Sequence, residues 1–107
     1  MIARFWSARA TEPLSREYLD HYESAVLPEL SKLEGYLGST VMTRPANGQV
    51  EIVVATLWQS LESIKQFAGS DFEAAVVAEV AAALLVDYDR RVRHFDVAIA
   101  DAFRLLS

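Results

Sequence analysis

The chain contains no cysteine. That excludes a disulfide frame, a thiolate nucleophile and a cysteine-based metal site. It has only 3 prolines and 4 glycines, and no linker, low-complexity tract or internal repeat is visible. No run of Lys or Arg offers a track for phosphates, and the formal net charge is -5. Both observations speak against a nucleic-acid partner. No basic amphipathic helix suggests a membrane surface, and no apolar run reaches the ~20 residues of a membrane span. The opening MIARFW lacks the charged start, apolar run and cleavage site of a secretory signal. A soluble cytoplasmic protein is the expectation.

What is present is apolar. Of 107 residues, 52% are hydrophobic, and the length points to a single domain over 1–107. That fraction is high for a small monomer, whose surface is large relative to its core. Either both sides of some element are buried or the chain associates. The stretch Val50–Phe67, VEIVVATLWQSLESIKQF, reads as a long strand running into a capped helix. By alternation its strand has Val50, Ile52, Val54, Thr56 and Trp58 on one face and Glu51, Val53, Ala55 and Leu57 on the other. Both faces are apolar beyond Glu51. A sheet covered on one side only would alternate apolar with polar, so a partner chain is the simplest second cover.

The remaining segments fall into place around it. Met1–Ala10 reads as a first strand, with Ile2, Arg4, Trp6 and Ala8 on one face and Ala3, Phe5, Ser7 and Arg9 on the other. Ser15 is a candidate N-cap for a helix from Arg16 to about Leu33. Its inward stripe carries Leu14, Tyr18, His21, Tyr22, Ala25 and Val26. Pro28 should kink or restart this helix, and Gly35 should stop it. Tyr36–Arg44 reads as the second strand, with Gly38 a weak point or bulge. Pro45-Ala46-Asn47-Gly48 is a hairpin turn into Val50–Trp58. Ser60 caps a short helix, which Gly69 breaks. Ser70 and Glu73 have capping-box spacing and point to a further helix presenting Phe72, Val76, Val80 and Leu84. Asp87, Asp89, Arg90 and Arg91 read as a solvated turn. Arg91–Ala100 is a last strand, with His94 and Asp96 on one face and Phe95 and Val97 on the other. The tail Asp101–Ser107 is too apolar to dangle freely. The order is β-α-β-β-α-β with a split second helical region. This is an α+β, ferredoxin-like arrangement of one antiparallel sheet.

Four segments carry a resemblance: MIARFW (1–6), VLPELSKLEGYLGS (26–39), TLWQSLESIKQFAGSDFEAAVV (56–77) and VRHFDV (92–97). In these the sequence resembles the antibiotic biosynthesis monooxygenase type of the dimeric α+β barrel proteins. The resemblance implies a homodimer with sheets packed face to face and a pocket between sheet and helices in each subunit. Such proteins include cofactor-free oxygenases of aromatic polyketides, haem degraders and quinol binders. The fold therefore implies a pocket and not a particular reaction.

Candidate site residues follow, each beside a plainer role. Trp58 matches a pocket-wall tryptophan at the end of the family's third strand; it is otherwise a core residue. Trp6 is a surface for a flat ligand, or packs at a dimer interface opposite the helices. His94 is a base with a titration range near neutral pH, or a structural histidine. His21, between Tyr18 and Tyr22 on the inward stripe, suits a pocket with a few polar groups, or marks the edge of the core. Phe67 closes the short helix and joins the substrate-binding candidates. No third ligand stands near the two histidines, so no metal site is expected. Haem degraders of this fold carry an axial histidine after the Ser-Asp pair; Phe72–Val77 has none, so haem is not expected either. The leading expectation is a cofactor-independent monooxygenase-like protein for a small aromatic or quinol-type molecule. The alternative is a non-catalytic small-molecule-binding or structural dimer.

Overall fold

The computed structural model describes residues 1–101. The expectation for the tail therefore lies, past Asp101, outside the described residues. The central strand is β1 (Ile2–Ala10). Along one edge it pairs antiparallel with all of β3 (Gln49–Trp58), from Ile2 opposite Trp58 to Ala10 opposite Val50. β3 pairs on its other side with β2 (Tyr36–Ala46). The hairpin between them turns on Asn47 and Gly48, both at positive φ (52° and 77°), which matches the right-handed twist of the flanking strands. The register slips between Tyr36 and Gly38, a bulge where the sequence pattern placed one.

The last strand is shorter than Arg91–Ala100 and comes in two pieces. β4 (Asp87–Tyr88) pairs with Ala8 and Arg9, and β5 (Arg93–Asp96) with Ile2–Phe5. The charged run read as a turn thus begins with two strand residues. The chain between the two pieces leaves β1 because it is bonded elsewhere. Ala75 N donates to Arg90 O, Val92 N donates to Glu73 O, and Ala74 forms a bridge with Arg91.

Those same bonds explain the largest departure from expectation. No helix follows Ser70-Asp71-Phe72-Glu73. Residues 72–78 form an irregular strap, and only α4 (Glu79–Ala82) is helical. Local capping spacing is outweighed by bonds to the 90–92 segment, in a stretch whose β-branched Val76, Val77 and Val80 are weak helix formers. Val76 and Val80 are consequently exposed instead of facing the core.

The first helical region also starts earlier than expected. α1 (Glu12–His21) is capped by Thr11, with proline in its first turn, where the missing N–H is not needed. Ser15 lies inside the helix and donates to Glu12 O at 2.6 Å. After His21 the chain widens into a π-helical turn (Tyr22–Val26) and then forms α2 (Leu27–Leu30). Pro28 cannot donate to the carbonyl four residues earlier, and the wide turn absorbs that loss. Gly35, at φ 86°, passes so close to α3 (Leu61–Ala68) that a Cβ there would lie 2.4 Å from Ser63 Cβ. Only glycine fits that crossing.

The helices cover one face of the sheet. Ile52, Val54, Thr56 and Trp58 of β3 are buried on that side with Arg4, Ala8 and Ala10 of β1. The opposite face carries Phe5, Met42, Val53, Leu57 and Phe95, and none of these is buried. Trp58 is fully buried. Its ring stacks on Phe67 at 5.4 Å, meets Tyr36 edge-on at 5.5 Å, and donates from Nε1 to Thr56 Oγ1 at 2.8 Å. Trp58→Ala should therefore destabilise the fold by about 3–5 kcal/mol, read from chemical denaturation; a loss under about 1 kcal/mol would contradict this core role.

Candidate functional site

A cavity lies between the helix-covered face of the sheet, the first helical region and the strap. Its empty volume is about 620 Å³, part of it open to solvent. β1 contributes Arg4 and Trp6, and β3 contributes Val54 and Thr56. The α1 end and the π-turn contribute Tyr18, His21, Tyr22 and Val26. Phe67 comes from α3, and Val76, Val77 and Ala78 come from the strap.

The wall is chiefly aromatic and aliphatic. Trp6 stands 6.1 Å from Tyr18, which stands 6.3 Å from Tyr22. Trp6 thus faces the helices, which corrects the dimer-interface role weighed for it. Its Nε1 donates to Asp89 O at 2.9 Å. The Tyr22 hydroxyl donates to Ser39 Oγ at 3.0 Å. Burial pushes the Tyr18 phenol up, with Tyr22 adding to the effect; burial likewise raises Tyr22. Neither phenol is a base at neutral pH. Trp58 is not on the wall, which corrects its reading as a pocket residue. It lies one layer back and braces Phe67, which is on the wall.

The two histidines part company. His21 is on the wall, and its Nε2 is buried with no hydrogen-bond partner among the described residues. A ligand hydroxyl entering the cavity would give that nitrogen a partner. His94 is not on the wall. β5 sets it directly opposite Arg4, and Arg4 Nη1 donates to its Nε2 at 2.9 Å. A guanidinium has no acceptor, so this His94 nitrogen must be unprotonated and its proton sits on Nδ1. Burial lowers the His94 pKa first and the Arg4 charge lowers it further, with Glu73 opposing. The Phe72 ring lies 5.7 Å away.

Arg4 is the feature that sequence reading missed. The residue is only 5% exposed, yet no carboxylate pairs with it among the described residues. Nη1 donates to Phe72 O at 2.5 Å and Nη2 to Ala74 O at 2.9 Å. The guanidinium carbon sits 5.6 Å over the Phe67 ring. Burial lowers its pKa to about 10, so it stays cationic at neutral pH. A signal existed in the sequence: a charge in an otherwise apolar row, between Ile2 and Trp6, on what proved the inward face.

Among the described residues no group of three or more His, Cys, Asp or Glu could hold a metal ion. Val76, Val77 and Ala78 of the strap carry no iron ligand, and among the described residues of the wall His21 supplies the imidazole and Arg4 the positive charge.

Neither a known family profile nor a curated protein matches the chain. Solved structures do. A Bacillus cereus protein assigned to the antibiotic biosynthesis monooxygenases superposes with TM-score 0.68 at 18% identity, covering 98% of each chain. The heme-degrader MhuD of Mycobacterium tuberculosis, with two hemes bound in its active site, gives 0.61 at 17% identity, covering 95% of this chain and 100% of its own. A monooxygenase of Streptomyces coelicolor in complex with nanaomycin D gives 0.61 at 12% identity, covering 98% of this chain and 92% of its own. At such identities the likeness is one of fold. The chain has the α+β ferredoxin-like fold shared by the antibiotic biosynthesis monooxygenase structures and MhuD.

Proposed function

We propose that the cavity holds a small aromatic or quinol-type molecule and that the protein oxygenates it without a cofactor, using His21 as the base. The single observation that carries this reading is the buried His21 Nε2 on an aromatic wall, without a hydrogen-bond partner among the described residues. It is supported by the nanaomycin D complex of a protein with the same fold. Trp6, Tyr18, Tyr22 and Phe67 hold a flat ring and exclude water. The neutral imidazole takes a proton from an activated C–H of a ring methylene. The resulting carbanion passes one electron to dioxygen, and recombination gives a peroxide on that carbon. Protonation and loss of water then leave a carbonyl. In balance, a methylene and a dioxygen molecule become a carbonyl and a water molecule, with all electrons supplied by the substrate.

The sheet face opposite the cavity belongs to the same reading. Phe5 and Phe95 pack edge-on at 5.6 Å there, and Phe95 is 48% and Met42 43% exposed. A second copy of the chain covers this face by symmetric packing. Light scattering at micromolar concentration should give twice the chain mass; a monodisperse monomer would contradict it.

The two histidines give the test of chemistry. With an anthrone as substrate, His21→Gln should lower oxygen uptake by roughly 10²–10⁴-fold at an almost unchanged melting temperature. His94→Gln retains an acceptor for Arg4 and should turn over within a few-fold of the parent. Its signature is thermal. Because the folded-state pKa of His94 lies below its ordinary 6.5, the folded protein disfavours the protonated ring. The stability it supports is fully present above the unfolded value and lost as pH falls through about 6.5 toward the lowered value. His94→Gln should flatten that acid-side fall in melting temperature. Binding of the anthrone with no oxygen uptake above background would favour the non-catalytic alternative.

A further inference from the structure

The cavity wall contains a cation that no carboxylate neutralises among the described residues. Resting on the reading that the cavity binds a flat molecule, we infer that this molecule carries an oxygen ionised at neutral pH, and that the unused edge of Arg4 recognises it.

Three of the five guanidinium N–H donors are engaged, by Phe72 O, Ala74 O and His94 Nε2. Among the described residues Nε makes no hydrogen bond and Nη2 makes one. Nε–H and one Nη2–H are left over, and the Nε–Nη2 side of the guanidinium plane keeps at least its Nε–H free. That side matches the two oxygens of a carboxylate. The same molecule uses it elsewhere: Arg9 grips the Asp87 carboxylate through Nε and Nη2. Arg9 does so in solvent, on the exposed side of β1. Arg4 offers the same edge while buried, where an uncompensated charge is unfavourable and an incoming anion gains more.

Among the described residues no nearby group already fills the role. His94 is neutral toward Arg4. Glu73, the acidic residue on the strap, is bonded to Arg91 at the surface. The remaining partners of Arg4 are backbone carbonyls and the face of Phe67. A flat molecule in the cavity that carries a carboxylate, or the ionised oxygen of an acidic enol, can pair with that edge. A neutral molecule of the same shape leaves it unpaired.

The competing account is that Arg4 only pins the strap, through its bonds to Phe72 O and Ala74 O. Ligand charge separates the two. Binding to the full chain at pH 7.5 and low salt is measured by calorimetry for three bicyclic probes. These are 1-naphthoate, the ionised enol 2-hydroxy-1,4-naphthoquinone, and the neutral 1-naphthalenemethanol. At least one anion should bind tenfold or more tighter than the alcohol, and the better of the two identifies carboxylate or enolate as the source. In Arg4→Gln the ratio of anion to alcohol affinity should fall to about one, whatever affinity all three probes lose together through the strap. In Arg4→Lys, with charge but no planar edge, it should shrink to a few-fold. Should neither Arg4 variant fold, the comparison on the parent chain decides by itself. Equal binding of all three, or tighter binding of the alcohol, would overturn the anion site and leave the cavity reading standing. No binding of any probe would overturn both.

Discussion

The Arg4 guanidinium ties together parts of the chain that are far apart in sequence. Its partners lie 68, 70 and 90 residues away, on the strap and on β5. Without those bonds the carbonyls of Phe72 and Ala74 would be left on a segment with no regular structure to satisfy them, and buried backbone groups need partners. The strap is what brings Val76, Val77 and Ala78 to the cavity. A buried positive charge is thus part of the reason the cavity has its wall, and part of that wall.

That dependence also sorts the histidines. β5 registers His94 against Arg4, so its ring nitrogen is spent on holding the cation in place. His21 occupies the last residue of α1, where the chain widens into the π-turn. The wide turn is forced by Pro28 downstream and orients Tyr22 and Val26, with His21, onto the cavity. One histidine supports the site and the other faces into it, though both lie in apolar rows of the sequence.

Much of the frame was legible from local patterns. Asn47-Gly48 fixed the hairpin because positive φ at both positions is rare outside such turns. Val50–Trp58 reads as a strand antiparallel to Tyr36–Arg44, and β3 pairs with β2 in that sense. Tyr18, His21 and Tyr22 share one stripe in the sequence, and they line the cavity with Phe67. What could not be read was decided by long-range pairing. The Ser70–Glu73 spacing is a sound local helix signal, but bonds to 90–92 outweigh it. Trp58 and Trp6 exchanged emphasis for a similar reason: period-two alternation places both on one face, and only the position of Phe67 decides which is screened. Arg4 was passed over because a charge on a strand is ordinarily a surface residue. Its burial depends on a strap whose conformation the sequence pattern did not suggest.

The central claim is that this cavity, and not the open sheet face, receives a flat anionic molecule. A crystal structure of the protein grown with 2-hydroxy-1,4-naphthoquinone tests it most directly. The account predicts the rings in the cavity beside Trp6 and Tyr18, with an ionised oxygen within about 3.2 Å of Arg4 Nε or Nη2. Density for the ligand only on the Phe5–Phe95 face, or in the cavity with its oxygens turned away from Arg4, would contradict it.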